Sequence, residues 1–361
     1  VKEILGILPH MPAFDSCFPL LDRLARRGNL RVSVITGPRI RATEPRVVAV
    51  ADASPVAVQH RSLLGTELWS LADMARADAV LTHADPRAYF KAGRPRDIFA
   101  RLSGKRTVFV QHGLVQYRLN YAQDGDAPTR YQARLMLVWR DLTADERAVI
   151  AGTPDIRTVG LVKRNLLPPR PVPPELAQRI AAARKVVLVC HNYGHDHLLY
   201  DDAQRDRAFG LLRATMQARP DVLFIIRAHR GRKLPAHQGA VSALVAGLPN
   251  VVLSDRHEGY LKFAGIDDVL AISDRVLTHP STVVLDALSQ GKPVAVLDNH
   301  RPDLAFLPEI ASHGDMAAWL DGGADAPALA EFTRRYGHVD ANLDRAAEAV
   351  ETHLYGPGQV S

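Results

Sequence analysis

Polar residues with chemical potential recur in this chain at one kind of place, just past a short apolar run. Residues 4–8 are followed by His10 and Asp15, and residues 79–81 by Thr82 and His83. Residues 106–110 lead into Gln111-His112-Gly113-Leu114, and residues 185–190 into His191-Asn192. Residues 223–226 lead into Arg227-Ala228-His229-Arg230, and residues 275–277 into Thr278-His279-Pro280-Ser281-Thr282. An imidazole can act as a general base near neutral pH, and the glycine after His112 lets a backbone or ligand approach closely. The Arg227–His229 pair, on a loop with further arginines, suits phosphate. Ser281 or Thr282 can cap a helix whose N-terminal N–H groups favour an anion. Asp286 comes one turn later, placed to take ribose hydroxyls. The same residues also fit plainer roles: a turn at His10, a cap at Asp15, a solvated basic loop at 227–233, and a capped helix with a surface Asp286.

Metal chemistry has weaker support. His191, His195 and His197 flank Asp196, but H-x3-H-x-H is not a zinc spacing and no cysteine cluster joins it. That loop reads instead as polar lining for a cleft. Long Lys/Arg runs and zinc-finger spacings are missing, which excludes the usual nucleic-acid binders. The net charge of +6 favours small anionic ligands or an anionic membrane face; the arginine-rich 23–46 stretch either meets such a face or is solvated, with solvation as the default.

The elements that must position these groups alternate. Residues 269–298 read as strand, tight turn, helix, strand: Val283, Val284, Ala287 and Leu288 recur at helical spacing, Gly291 suits the helix end and Pro293 stops it. That is a βαβ unit, which implies a parallel sheet. The chain opens the same way, with strands at 4–8 and 30–35 around a helix at 18–26 that Asp15 or Ser16 caps, and a further strand is expected at 47–50. The proline-rich run 168–174 reads as a semi-rigid linker. The expected organisation is an N-terminal domain over 1–167, the linker 168–174, a second domain over 175–335 and a C-terminal helix and tail over 336–361. Of the 361 residues 47% are hydrophobic, enough for two cores, and no apolar run reaches membrane-spanning length. Cys17 and Cys190 lie far apart, as buried thiols of a reducing cytoplasm would, and the start reads as too short and charged for a signal peptide.

Several short stretches resemble known families. Two α/β halves with a Ser/Thr–helix site look like glycosyltransferases of the GT-B type, with two Rossmann-like domains whose parallel sheets face a central cleft. Residues 105–300 resemble the CDP-glycerol glycerophosphotransferases. His112-Gly113 keeps part of their Trp-His-Gly-Thr motif, Arg227-Ala228-His229-Arg230 part of Arg-Pro-His-Pro, Thr278-His279-Pro280-Ser281-Thr282 part of Thr-Asp-Tyr-Ser-Ser, and Gly291-Lys292-Pro293 the whole of Gly-Lys-Pro. The stretch 281–288 is similar to Ser-Thr-Val-Gly-Leu-Glu-Ala-Leu of the capsule Kdo transferases, which use CMP-Kdo; here Val284 replaces Gly and Asp286 replaces Glu.

The resemblance implies a transferase of surface-polysaccharide synthesis. It would move a glycosyl group, such as Kdo, or glycerophosphate from a cytidine-nucleotide donor to a glycan or lipid-linked acceptor, in the cytoplasm or at the inner membrane face. His112 would be the base, with His10 and Asp15 as further candidates. Arg227, His229, His279, Ser281, Thr282, Asp286 and Asn192 would hold the donor. No Asp-x-Asp pair stands at a strand end and His279 occupies the place of a metal-binding carboxylate, so the reaction is expected to need neither metal nor cofactor, with Arg, His and the helix dipole in place of the cation. Two other readings fit. One is a nucleotide-sugar enzyme similar to UDP-GlcNAc 2-epimerases; the other is a catalytically silent binding protein of a polysaccharide-synthesis complex.

Overall fold

The structure is a computed structural model that describes residues 1–62, 65–84, 106–122, 125–193, 200–228, 235–254, 261, 264–323 and 325–356. The chain forms two compact units, one of Val1–Pro168 with Thr333–Ser361 and one of Pro169–Phe332. The first crossing therefore falls inside the proline-rich run.

The first unit is built on a parallel sheet. Its strands are β1 (Lys2–Leu8), β2 (Leu30–Thr36), β3 (Ala57–His60), β4 (Ala79–Thr82), β5 (Arg106–Val110), β7 (Leu135–Val138) and β9 (Asp155–Thr158), in the order β3-β2-β1-β4-β5-β7-β9. A minor pair, β6 (Thr129–Arg130) and β8 (Ile150–Ala151), lies apart from it. The inner strands read as continuous apolar runs because both faces of a parallel sheet are covered. Leu5, Ile7, Ile35 and Val80 form one cluster with Met74, and Phe109, Met136 and Val138 another with Leu119 and Tyr131.

Two local expectations change. The first helix spans Met11–Arg27, with His10 as N-cap, so Asp15 and Ser16 lie inside it and cap nothing. Pro12 is tolerated because first-turn N–H groups have no helical partner. Pro19 removes the N–H that would bond the Asp15 carbonyl, and that oxygen accepts instead from the Arg164 N–H at 3.3 Å. Residues 47–50 are not a strand but belong to the helix Arg46–Asp52, which buries Val47 and Ala51, four apart, on one face.

The second unit carries β10 (Lys185–His191), β11 (Val222–Ala228), β12 (Val251–Leu253), β13 (Arg275–Thr278) and β14 (Val294–Val296), all parallel in the order β12-β11-β10-β13-β14. Val187, Val189, Phe224, Ile226 and Leu277 pack with Phe209 and Leu212 of the helix Asp202–Ala218. Both units thus fold as Rossmann-like α/β layers.

The C-terminal helix Val339–Tyr355 belongs to the first unit. Buried Glu351 pairs with Arg27 at 2.8 Å and accepts from Asn29 at 3.1 Å, while Arg23 bonds Asp340 at 2.7 Å. Arg26 pairs with Asp22 and Arg46 with Glu44. Much of the basic 23–46 stretch is therefore matched by carboxylates of its own unit. Asn342, fully buried, donates to the carbonyls of Leu161 at 2.9 Å and Tyr336 at 2.6 Å. Gly160 (φ +86°) and Gly337 (φ +69°) flank it, and a Cβ on either would overlap its carboxamide. Gly160→Ala combines a left-handed backbone with that overlap and is expected to cost about 2–4 kcal/mol. Asn342→Leu, which takes the side-chain donor from the Leu161 carbonyl and leaves the Tyr336 carbonyl with only the Leu161 N–H, should cost about 1–3 kcal/mol. Urea denaturation followed by circular dichroism checks both; an unshifted first transition would show that this joint does not carry stability.

Candidate functional site

In each sheet the strand order reverses beside the first strand, between β1 and β4 and between β10 and β13. Loops leaving the carboxyl ends of such neighbours diverge and leave a crevice where ligands gather. The sequence places its reactive residues at these two edges.

In the first unit, β1, β4 and β5 each hand on to a histidine. The rings of His10 and His83 meet edge to face with centroids 4.8 Å apart, and those of His83 and His112 at 5.0 Å. His112 Nδ1 lies 3.0 Å from the His83 carbonyl oxygen. A carbonyl only accepts, so Nδ1 carries the hydrogen and Nε2 keeps its lone pair. Burial pushes the His112 pKa down to about 4; the bond to His83 opposes this, and nearby His10 and Lys163 act in the same direction as burial. The ring is therefore neutral across the physiological range.

Buried carboxamides fix the loop behind it. Gln111 donates to the Gly113 carbonyl at 2.8 Å and accepts from the Trp139 N–H at 2.9 Å. Gln116 accepts from the His112 N–H at 3.2 Å, and Asn120 accepts from the Gln116 N–H at 2.8 Å. The 111–120 loop is held mostly by its own side chains. Asp15 stands in the second turn of the first helix, and its main-chain carbonyl draws in the segment that bears Lys163.

In the second unit the ring of His279 is fully buried beyond β13. Its Nδ1 accepts the Asn192 N–H at 3.0 Å, so the neutral ring carries its hydrogen on Nε2, 3.6 Å from Asp298 Oδ2. Tyr193 and Tyr200 pack on the ring with centroids 4.3 and 4.4 Å away. The Tyr193 hydroxyl donates to the same Asp298 oxygen. Tyr200 reaches toward His300, its hydroxyl 3.5 Å from Nδ1. Burial lowers the His279 pKa, with Asp298 opposing. Burial works against ionising Asp298, but His279 and Tyr193 outweigh it and hold the carboxyl below its ordinary value.

The remaining sequence candidates of this unit lie around that network. Ser281 is the N-cap of the helix Thr282–Ser289, yet its hydroxyl makes no cap bond and lies 3.3 Å from Thr278 Oγ1. Thr282 is half-buried at the first helical position, and Asp286 is buried one turn on. Arg227 points inward, donating to Ser254 Oγ at 2.7 Å and to the Ala264 carbonyl at 3.2 Å. Burial pushes the Cys190 thiol up to about 12, with the charges of Arg227 and Asp286 acting on it in opposite directions. His229, like His195, Asp196 and His197, lies outside the described residues. The structure thus joins Asn192 directly to His279, sets Ser281 beside Thr278, and places Arg227 and Asp286 deeper. Sequence reasoning gave no role to His83, Gln116, Tyr193 or Asp298. Asp298 fits the rule that found the others, since it lies just past a buried strand.

Among the described residues no group of three or more His, Cys, Asp or Glu side chains is arranged to hold a metal ion, and no helix is long and apolar enough to cross a membrane.

No protein-family model matches the chain, and no curated protein matches its sequence. Solved structures do match over its full length. A putative UDP-N-acetylglucosamine 2-epimerase from Listeria monocytogenes is similar with a TM-score of 0.64 at 15% identity, over 100% of this chain and 98% of that one. The wall teichoic acid polymerase TagF, in a structure with CDPG, gives 0.53 at 13% identity over 98% and 88%. AviGT4, a glycosyltransferase of avilamycin A biosynthesis, gives 0.52 at 14% identity over 99% of both chains. The chain has the two-unit Rossmann-like α/β fold that glycosyltransferases of the GT-B type share with these epimerases.

Proposed function

We propose that the protein is a nucleotide-sugar enzyme that transfers a glycosyl or glycerophosphate group from a cytidine-nucleotide donor to a hydroxyl of a glycan or lipid-linked acceptor. The observation that carries this reading is His112: a neutral imidazole at the carboxyl edge of the first sheet, one strand beyond its switch point, with Nδ1 tied to a carbonyl and Nε2 left to accept. In the proposed step an acceptor hydroxyl oxygen bonds to the transferred carbon or phosphorus. The bond from that atom to the nucleotide's oxygen breaks, the hydroxyl proton passes to His112 Nε2, and the nucleotide leaves as an anion. His10 is the second candidate for proton transfer, and Asp15 helps to shape the same edge. The donor belongs to the second unit, at the carboxyl edge that holds Asn192, His279, Ser281 and Thr282, with Arg227 and His229 offsetting charge on the leaving nucleotide and Asp286 taking ribose hydroxyls. With helix N–H groups and cationic side chains at the leaving group, the step needs no metal.

TagF, solved with CDPG, shares the fold and supports a cytidine donor as the first to test. The competing reading is an epimerase-like enzyme acting on a UDP-sugar without an acceptor. Three adjoining imidazoles favour keeping it, since elimination and re-addition need more than one proton transfer.

A ligand bound only by the folded state raises its melting temperature. CMP or CDP at saturating concentration is expected to do so by several degrees and more than UDP or GDP. A shift with UDP alone, together with UDP released from UDP-GlcNAc in the absence of an acceptor, would replace the transferase by the epimerase-like reading. His112→Ala is expected to lower kcat by about 100-fold or more; turnover within a few-fold of wild type would remove His112 as the base. Because the free base is the active form and its pKa is lowered, kcat/KM should stay level from pH 7.5 down to about 5.5 and fall with a midpoint near 4. A midpoint near 6.5 would mean that His112 is not held in this environment when the enzyme works.

A further inference from the structure

Asp298 combines three features that a simple turn residue does not require. Its backbone is left-handed at φ +47°, one of two non-glycine residues among those described with positive φ. Such a conformation costs free energy, though Asp tolerates it better than most, and it persists where the surrounding structure enforces it. Its two oxygens are unequally used. Oδ2 receives the Tyr193 hydroxyl and faces His279 Nε2, and every side-chain hydrogen bond of Asp298 among the described residues goes to Oδ2. Its side chain is 24% exposed, while the His279 side chain behind it is fully buried. The carboxylate is thus gripped from inside by one oxygen and offers the other at the carboxyl edge of the second sheet. Oδ1 can only accept, so its partner must be a donor.

We propose that Asp298 is a ligand-binding carboxylate whose Oδ1 accepts a hydrogen bond from a hydroxyl of the bound nucleotide conjugate, on the ribose or on the transferred group, and that Tyr193 and His279 aim it. The assignment rests on the nucleotide-sugar reading above. It gives His279 a positioning role: enclosed beneath Tyr193 and Tyr200, the ring acts on the ligand through Asp298. It also supplies a carboxylate for hydroxyl recognition that lies nearer the surface than buried Asp286.

Asn is the informative substitution. It tolerates the same backbone conformation and keeps the side-chain shape, so the fold is retained. Its single carbonyl oxygen is claimed by the Tyr193 and His279 donors, which turns the outward atom from an acceptor into an NH2 donor. Isothermal titration with CDP, UDP, CDP-glycerol and UDP-GlcNAc reads the consequence. Asp298→Asn should keep its melting temperature within about 2 °C of wild type and bind about 10-fold or more weakly, the size of one lost hydrogen bond to a charged group. Equal weakening for nucleotides and conjugates locates the contact at the ribose; weakening for the conjugates alone locates it at the transferred group. Asp298→Gly relieves the backbone but takes the acceptor from the Tyr193 hydroxyl and His279 Nε2–H, so it should melt somewhat lower than wild type and bind as weakly as Asp298→Asn. If wild type binds one of these ligands and both variants bind it equally well, Asp298 is a turn residue only and the assignment is wrong while the proposed function stands. If wild type binds none of them, the nucleotide-sugar reading fails and the assignment falls with it.

Discussion

The constraint on which the rest depends is the reversal of strand order in two parallel sheets. With right-handed crossovers, covering both faces of a sheet with helices takes a chain that leaves the first strand toward one edge and returns later on its other side. β1 is therefore flanked by β2 and β4, and β10 by β11 and β13. Loops at those points cannot cover each other, so each sheet keeps one open stretch along its carboxyl edge. Polar groups placed there stand where a ligand can reach; the same groups one turn back would be buried without partners. That explains why histidines, serines and carboxylates recur just after apolar strands, and why β1, β4, β5, β10 and β13 carry them.

The two edges solve one electrostatic problem in opposite senses. Both bury an imidazole, and burial favours the neutral ring. What differs is the backbone group that meets Nδ1. At His112 it is the His83 carbonyl, so the hydrogen sits on Nδ1 and Nε2 can accept. At His279 it is the Asn192 N–H, so Nδ1 accepts and Nε2 donates toward Asp298. A main-chain partner sets the tautomer each time, and the tautomer decides whether Nε2 can accept, as at His112, or donates toward a carboxylate, as at His279. Burial keeps both rings neutral through neutral pH.

Much of this architecture could be read before the structure was known, and the failures have physical causes. Strand positions and the βαβ unit at 269–298 followed from apolar runs and helix-stop residues, signals local to the chain. The first helix began earlier than expected because Pro12 looks like part of a turn in sequence, whereas a first-turn proline is harmless; Pro19 is also held inside the helix, and the carbonyl it frees finds Arg164 far along the chain. Val47, Val48 and Val50 suggested a strand by propensity, but burial of Val47 with Ala51 selected a helix. The inward turn of Arg227 was illegible for a related reason: Ser254 and the Ala264 carbonyl, its partners, lie 27 and 37 residues away. Asp298 was legible by position only. Its importance depends on Tyr193 and His279, which the sheet brings together across more than a hundred residues of chain at Tyr193.

Stability and chemistry meet in the segment that follows β9. The Leu161 N–H bonds the Tyr336 carbonyl at 2.9 Å, and Asn342 of the C-terminal helix bonds the Leu161 carbonyl, so one end is fixed by residues far along the chain. Three residues later the Arg164 N–H is fixed by the Asp15 carbonyl that Pro19 leaves open. Lys163 lies between these two anchors, and its charge acts on His112. Gly160 must be left-handed and small for the first anchor to close, and Pro19 must interrupt its helix for the second. A glycine and a proline that look like punctuation in the sequence therefore help to set the charge environment of the imidazole. Their effect reaches the site through backbone hydrogen bonds, with neither residue among the groups that meet at the sheet edge.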